Sequence, residues 1–390
     1  MMYRQETPAT QQPTSLTTLK PSGALPHQRL PRQGAGPLTL EEILRVGVDS
    51  SATDLHVVSG LPPMYKVGTT LYALDCPALT GDETKRISYE GLEEKGIKQF
   101  EDGAIKELTT SFSGYQERRF RYTVSRMKGS LSADVRLLPT TVRSVEELGL
   151  PQEVAEMARR KRGLILITGR GGQGKTTTLA AMIDLVNRER MANIIIVEDP
   201  IEYIHSCKKS IIQQREVGTD TDSYATGLKC AMKQNADVIV LAECIDQESL
   251  ETAIWAAETG HLIIVTMHTY DIGESVDRIV NAFPTYEQQR IMSGLSTSLQ
   301  GVISQQLVPR IKPDPVLGGR VAAIEVIPTN THAIKRLIRE GRLYVRDPYI
   351  NVAHAAGLPV LTMDEHLAQL YSEGKVDHDT VVAFSKEKPL

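Results

Sequence analysis

Eight consecutive residues, Gly169-Arg170-Gly171-Gly172-Gln173-Gly174-Lys175-Thr176, fit the pattern G-x-x-x-x-G-K-[ST]. They lie between an apolar run at residues 164–167 and a helix-compatible stretch at residues 177–186. No other feature restricts the fold as much. A strand, a glycine-rich turn and a helix in that order aim successive backbone N–H groups and a helix N-terminus at one point, which attracts a phosphate chain. Gly169, Gly171, Gly172 and Gly174 allow the backbone to close around it, and Gln173 and Thr177 are counted with them as nucleotide-contacting positions. Lys175 supplies charge for the β- and γ-phosphates, and Thr176 a hydroxyl for Mg²⁺. ATP with Mg²⁺ is the expected ligand pair. The competing reading is an ordinary glycine-rich turn between strand and helix.

At 390 residues the chain exceeds one typical core and reads as two domains with an appendage. Its 41% hydrophobic and 24% charged residues are those of an ordinary soluble globular protein. The net charge of −4 gives no global attraction for nucleic acid or anionic lipid, so no direct nucleic-acid partner is expected, although a local basic face is compatible with it. Cys76, Cys207, Cys230 and Cys244 are too dispersed for a zinc site or a disulfide framework and read as reduced, cytosolic thiols. No stretch approaches the roughly 18 apolar residues of a membrane span, and the N-terminus has no signal-peptide apolar region. Membrane contact is therefore expected only through partners.

Residues 1–37 hold Pro8, Pro13, Pro21, Pro26, Pro31 and Pro37 among Gln, Thr, Ser and Gly, and read as a disordered tail. At 38–49, Thr39 as N-cap, acids in the first turn and Leu40, Ile43 and Leu44 at helical spacing predict a helix stopped near Gly47. Strand-like pieces at 55–58, 63–67, 120–125 and 133–138, with a helix-compatible 82–100, predict a small α+β domain over 38–142. A linker follows at 143–152, where Gly149 and Pro151 interrupt the pattern. The remaining residues, 153–390, read β (164–168), α (177–186), β (193–198), α (224–234), β (238–241), α (249–258) and β (262–267). This predicts a parallel sheet covered on both faces. Beyond Asp271 the reading is mostly helical, with one strand at 319–327 and amphipathic helices at 331–340 and 362–373.

Hydrolysis needs an acid on the metal side and a group to orient water. The run Asp237-Val238-Ile239-Val240-Leu241-Ala242-Glu243 is an apolar strand ending in a carboxylate, and Glu243 is the candidate for organising Mg²⁺ or its waters. Between this strand and the phosphate loop lies another, 194–197, running into Glu198-Asp199-Pro200-Ile201-Glu202. Three carboxylates so close, partly buried, would raise at least one pKa and suit a base or a water-orienting group. His261 and His268 flank the next strand, either to sense the γ-phosphate and polarise the acids or as structural residues.

Together these boxes resemble the PilT branch of the type II/type IV secretion ATPase superfamily, from Thr39 to the C-terminus. Walker A is Gly169 to Thr176, the aspartate box runs from Glu198 to His205, the Walker B box from Ala242 to Asp246, and the histidine box from Thr259 to Thr269. The resemblance implies an α/β fold: a RecA-like P-loop ATPase domain with a parallel sheet behind a small PAS-like α+β domain, whose opening matches 52–56 and 60–64. It implies that Glu202 is the catalytic glutamate, with Glu243 on the metal side. Arg119, Arg121, Arg126 and Arg136 fall where the family keeps arginines that reach the nucleotide on domain closure, although a solvated strand face would also explain them. Arg278 matches a segment that gives a phosphate or subunit contact. The run 333–340, Ala-Ile-Lys-Arg-Leu-Ile-Arg-Glu, resembles the helix of retraction-type motors, and the tetracysteine motif of assembly-type relatives is missing.

The implied machine is a homohexameric ring, cytoplasmic and peripherally associated with the inner membrane, which moves a platform protein there. Arginines with no obvious acid partner in sequence add to the expectation of a ring. The loop interior departs from the family's Pro-Thr-Gly-Ser, and Ala242 and Ile245 stand for its Gly and Arg. These departures weigh pilus retraction and secretion or conjugation about equally. A RecA-like nucleic-acid translocase or helicase shares the loop and acids; the histidine box, the front half and the acidic charge balance argue against it. A non-enzymatic nucleotide switch is disfavoured by Glu202 and Glu243.

Overall fold

Thr39 opens the first helix with a reciprocal cap: its Oγ1 accepts the Glu42 N–H (3.3 Å) while the Glu42 carboxylate accepts the Thr39 N–H (3.0 Å). The computed structural model describes residues 36–67, 70–138, 141–243, 246–314, 318–341 and 346–386. Most of the expected proline-rich tail, residues 1–35, lies outside them, as do Cys244 and Ile245. The N-terminal elements are α1 (Leu40–Asp49), β1 (Asp54–Val57), β2 (Met64–Val67), β3 (Thr70–Ala73), α2 (Gly81–Glu90), α3 (Glu94–Glu101), β4 (Glu107–Ser113), β5 (Arg119–Met127) and β6 (Ser130–Leu137). Gly47 does not stop α1. The helix runs two residues further, and glycine is needed there because a Cβ would stand 2.8 Å from the Leu55 side chain. The six strands form an antiparallel sheet in the order β3-β2-β1-β6-β5-β4, and its inner face buries Leu55, Phe120, Tyr122 and Val135 against Ile43, Ile87 and Phe100.

The second half begins with α4 (Gln152–Ala158), β7 (Gly163–Thr168), α5 (Lys175–Glu189), β8 (Asn193–Glu198), β9 (Ile211–Glu216), α6 (Tyr224–Lys233), β10 (Val238–Leu241), α7 (Gln247–Glu258) and β11 (Leu262–Met267). It continues with α8 (Ile272–Asn281), α9 (Thr285–Ser298), β12 (Leu299–Asp314), β13 (Gly318–Pro328), α10 (His332–Arg339), α11 (Asp347–Ala355), α12 (Met363–Ser372) and α13 (His378–Phe384). The sheet order is β13-β12-β7-β11-β10-β8-β9, parallel except for the β12–β13 pair. Apolar residues of every central strand alternate between two cores, one under α6 to α11 and one under α4 and α5. That is the α/β architecture expected of the phosphate-loop half.

Two differences from the sequence reading matter. The strand standing between the phosphate-loop strand β7 and the acid-bearing strand β10 is β11; β8 lies on the far side of β10. And the region after Asp271 is less helical than expected, because β12 is a sixteen-residue strand whose first part pairs with β7. No helix among the described residues is long and apolar enough to cross a membrane. The single tryptophan, Trp255, is 56% exposed on α7, in a groove shared with Arg290 and Gly294 of α9.

Candidate functional site

The phosphate loop follows β7, a strand buried at every residue. Gly169 has φ +149°, and a Cβ there would meet the Gln305 carbonyl oxygen at 2.5 Å, so only glycine lets the loop lie against β12. Gly174, at φ +80°, is the N-cap of α5 and turns the chain so that the helix N-terminus faces the loop. The Lys175 ammonium reaches back over the loop, donating to the Gly169 (2.7 Å) and Arg170 (3.0 Å) carbonyls. Burial lowers its pKa, against the opposing pull of Glu243 and Glu202.

The unusual interior of the loop has two attachments. Gln173 Oε1 accepts the Leu307 N–H (2.5 Å), while Gln305 Nε2 donates to the Gln173 carbonyl (2.7 Å) and Gln305 Oε1 accepts from Thr178 Oγ1 (2.6 Å). Gln305 is itself buried, so the loop is stapled to β12 through a closed polar network. Arg170 leaves the loop and stacks over the Tyr270 ring, 4.5 Å from its centroid.

Three of the expected side chains form one chain across the cleft: His268 Nδ1 lies 3.4 Å from Lys175 Nζ, and His268 Nε2 lies 2.8 Å from Glu243 Oε1. With lysine donating to Nδ1, the ring carries its proton on Nε2 and donates it to Glu243. Met267 and Thr168 end the paired strands β11 and β7, and His268 follows Met267 on that side of the sheet. His261 precedes β11 and therefore sits at the opposite edge, with its Nδ1 3.0 Å from the Ala256 carbonyl; the structure does not bring it to the phosphate loop.

Glu202 meets Arg121 of β5, with Nη2 2.5 Å from Oε1. This contact joins the two halves of the chain above the loop. Arg119 reaches Glu216 (3.4 Å) and also donates to Ser111, and Glu216 in turn accepts the backbone N–H of Ile201 (3.0 Å). Arg136 pairs with Asp54 (2.9 Å). So Arg119, Arg121 and Arg136 all have acid partners within one chain, which removes unpartnered arginines as an argument for a ring. Arg126 donates to the Phe100 carbonyl at the end of α3, and Arg278 is exposed on α8; neither lines the cleft.

Of the acids after β8, Glu198 is 4% exposed and burial pushes its pKa up to about 8, while its Oε2 accepts from Gln214 Nε2 (3.1 Å). Burial, helped by Glu216, also raises Asp199. The cleft encloses about 590 Å³ among Lys175, Thr176, Glu198, Glu202, Glu243 and His268 on one wall and Arg121 and Arg136 on the other. An adjoining pocket of about 430 Å³ shares Gly174 and Thr177 and is lined by Leu148, Leu150, Tyr203 and Leu307. Tyr203, Gln305 and Leu307 went unread in the sequence. Only Tyr203, next to Glu202, had a signal there, an aromatic residue inside the box that runs from Glu198 to His205; it bonds to Thr177 (2.9 Å).

The model of the type II/IV secretion system protein family matches residues 118–354. The chain is 36% identical over 342 residues to the type IV pilus retraction ATPase PilT of Pseudomonas aeruginosa, covering 88% of this chain and 96% of that one. It is 34% identical to the type IV pilus ATPase PilU of the same organism, over 89% of this chain and 88% of that one. Among solved structures it resembles the pilus retraction motor PilT with bound ADP, with TM-score 0.79, 39% identity and coverage of 90% and 98%. The Legionella pneumophila ATPase DotB shares the fold at TM-score 0.74 and 21% identity, over 91% and 97% of the two chains.

Proposed function

The chain belongs to the type II/IV secretion system protein family and is a motor ATPase of type IV pilus or secretion machinery; from that premise we propose how its cleft works and what it drives. The observation that carries the reading is the Arg121–Glu202 contact, because it sets an arginine of the N-terminal half against the candidate catalytic glutamate directly over the phosphate loop.

In this reading the nucleotide's phosphates enter between Lys175 and Arg121. The Lys175 ammonium, now resting on two loop carbonyls, transfers to the phosphates, and Arg121 exchanges its carboxylate partner for the terminal phosphate. Glu202 is then free to hold the attacking water in line. His268 reports the occupancy of the site, since it touches both Lys175 and Glu243. The pocket beside Gly174, where Leu148, Leu150 and Leu307 stand with Arg118, Arg143 and Arg320, suits the nucleoside. Thr176 and Glu243 fit Mg²⁺: a hydroxyl and a carboxylate both line the cleft beside the phosphate loop, oxygen donors suited to an ion held mainly by phosphate and water. The ion would neutralise charge developing on the phosphates.

Closing the two halves on ATP and releasing them after hydrolysis is the movement that a homohexameric ring would pass to an inner-membrane platform protein. The PilT and PilU likenesses support this more than a nucleic-acid translocase. The test is steady-state ATPase activity of the wild type, Lys175→Ala and Glu202→Gln, with ATP binding measured in parallel. Glu202→Gln should lose on the order of a hundredfold or more in kcat while still binding ATP. Wild-type turnover no greater than that of either variant would sink the proposal, and a fully active monomer in sedimentation would remove the ring.

A further inference from the structure

The sheet edge opposite the phosphate cleft carries a concentration of positive charge that the net charge of −4 conceals. Three segments meet there: residues 159–162 before β7, 188–192 from the end of α5 up to β8, and 206–211 leading into β9. Their contacts make them one surface. Arg190 Nη1 donates to the Arg160 carbonyl (3.1 Å), Ser210 Oγ to the Arg190 carbonyl (2.8 Å) and the Ile211 N–H to the Ala192 carbonyl (2.9 Å).

Eight of these fifteen residues are Arg or Lys, and only Glu189 is acidic. Arg159 is paired with Glu189 (2.8 Å), and Arg188 and Lys208 share Asp184 (2.9 and 2.5 Å). The other five cations form no ion pair with any described residue, and three of them, Lys161, Arg162 and Lys209, are exposed. Amid this charge two apolar side chains face solvent: Met191 is 91% exposed and Ile211 62%.

A protruding thioether on a surface that also carries unpaired cations complements one that is anionic at its face and apolar just beneath. Nucleic acid is the other polyanion to consider, but these segments contain no aromatic side chain on which a base could stack, and Met191 and Ile211 would gain nothing from phosphates. The geometry points to direct docking of this edge on an anionic lipid bilayer, with Met191 entering the headgroup layer and the cations held by lipid phosphates and carboxylates. Membrane contact then does not pass through partners alone, as the whole-chain charge suggested. The docking is independent of hydrolysis, because none of these residues lines the cleft.

The experiment is co-sedimentation of the full chain with vesicles of phosphatidylcholine, with and without phosphatidylserine. Binding is expected only to the anionic vesicles and should weaken with added salt. Each basic residue contributes about fivefold in affinity, so Lys161→Gln/Arg162→Gln/Lys209→Gln together should lose about a hundredfold. Met191→Asp should also weaken binding, and ATPase activity without vesicles should stay at the wild-type level in both variants. A second measurement does not depend on those variants folding: an environment-sensitive dye on Met191→Cys should shift to the blue with anionic vesicles and not with phosphatidylcholine. Equal binding to both vesicles, retention of binding by the triple variant, a dye insensitive to anionic lipid, or binding to oligonucleotides in place of vesicles would each overturn the inference.

Discussion

Replacing Gln173 by Met tests whether the phosphate loop is held ready by its staple to β12. Methionine keeps the length and approximate volume of the side chain but cannot accept the Leu307 N–H, now bonded at 2.5 Å. Leaving that half-buried donor without its partner costs about 1–2 kcal/mol. The Gln305 bond to the Gln173 carbonyl persists because its acceptor is backbone, so the loop loosens without detaching. If the stapled loop is the one that receives ATP, loosening it lowers the fraction of competent molecules and raises the apparent Kd by about five- to thirtyfold. Since Gln173 acts on the loop before chemistry, kcat should change by less than about twofold. Calorimetric titration with a non-hydrolysable ATP analogue and steady-state kinetics would separate the two quantities. Gln305→Leu, which removes the bonds to both Thr178 and Gln173, should weaken binding further. An unchanged Kd, or a loss confined to kcat, would refute the reasoning.

Glu198 titrates near 8 in the folded chain and near 4.5 when unfolded, so the folded state holds an extra proton between those values and stability should fall as pH rises from about 4.5 to about 8. Thermal melts across that window should show a shallower fall for Glu198→Gln, and parallel curves would contradict the assignment. Glu325, fully buried, accepts from Arg346 Nε (2.7 Å) and Lys386 Nζ (3.0 Å). Arg346→Met should cost about 3 kcal/mol by stranding part of that charge, and Glu325→Met in the same chain should recover some of it; an unaltered melting temperature for Arg346→Met would count against the pair. Gly169→Ala, with its Cβ driven into the Gln305 carbonyl, should abolish ATP binding in the same titration, and wild-type affinity would show that the loop can move aside.

What the sequence revealed follows from how local the physics is. β8, β10 and β11 were legible to the residue because they are short apolar runs buried on both faces. β12 was not, since it contains Ser304, Gln305, Gln306 and Pro309. Its partner β7 ends at Thr168, opposite Ser304, so the later half pairs only with β13, and a residue without an N–H is tolerated beside a free edge. Glu202, Glu243, Lys175 and His268 could be gathered from spacing because each follows a strand of the same parallel sheet. His261 could have been set aside on the same ground: six strand residues at about 3.3 Å each separate it from His268. Gln305 and Leu307 carried no local signal, for their role depends on β12 packing beside a loop more than 130 residues earlier.

Trp255 gives the molecule a built-in optical label in an informative place. It is the chain's one tryptophan, more than half exposed, and no residue of its groove between α7 and α9 belongs to the nucleotide cleft. Indole emission therefore comes from that outer groove alone. A spectral shift or a change in quenching by a soluble agent when ATP is added reports movement relayed to the surface, separately from the binding event. Paired with a nucleotide-borne fluorophore in the cleft, it would time how long the outside of the molecule lags behind the inside.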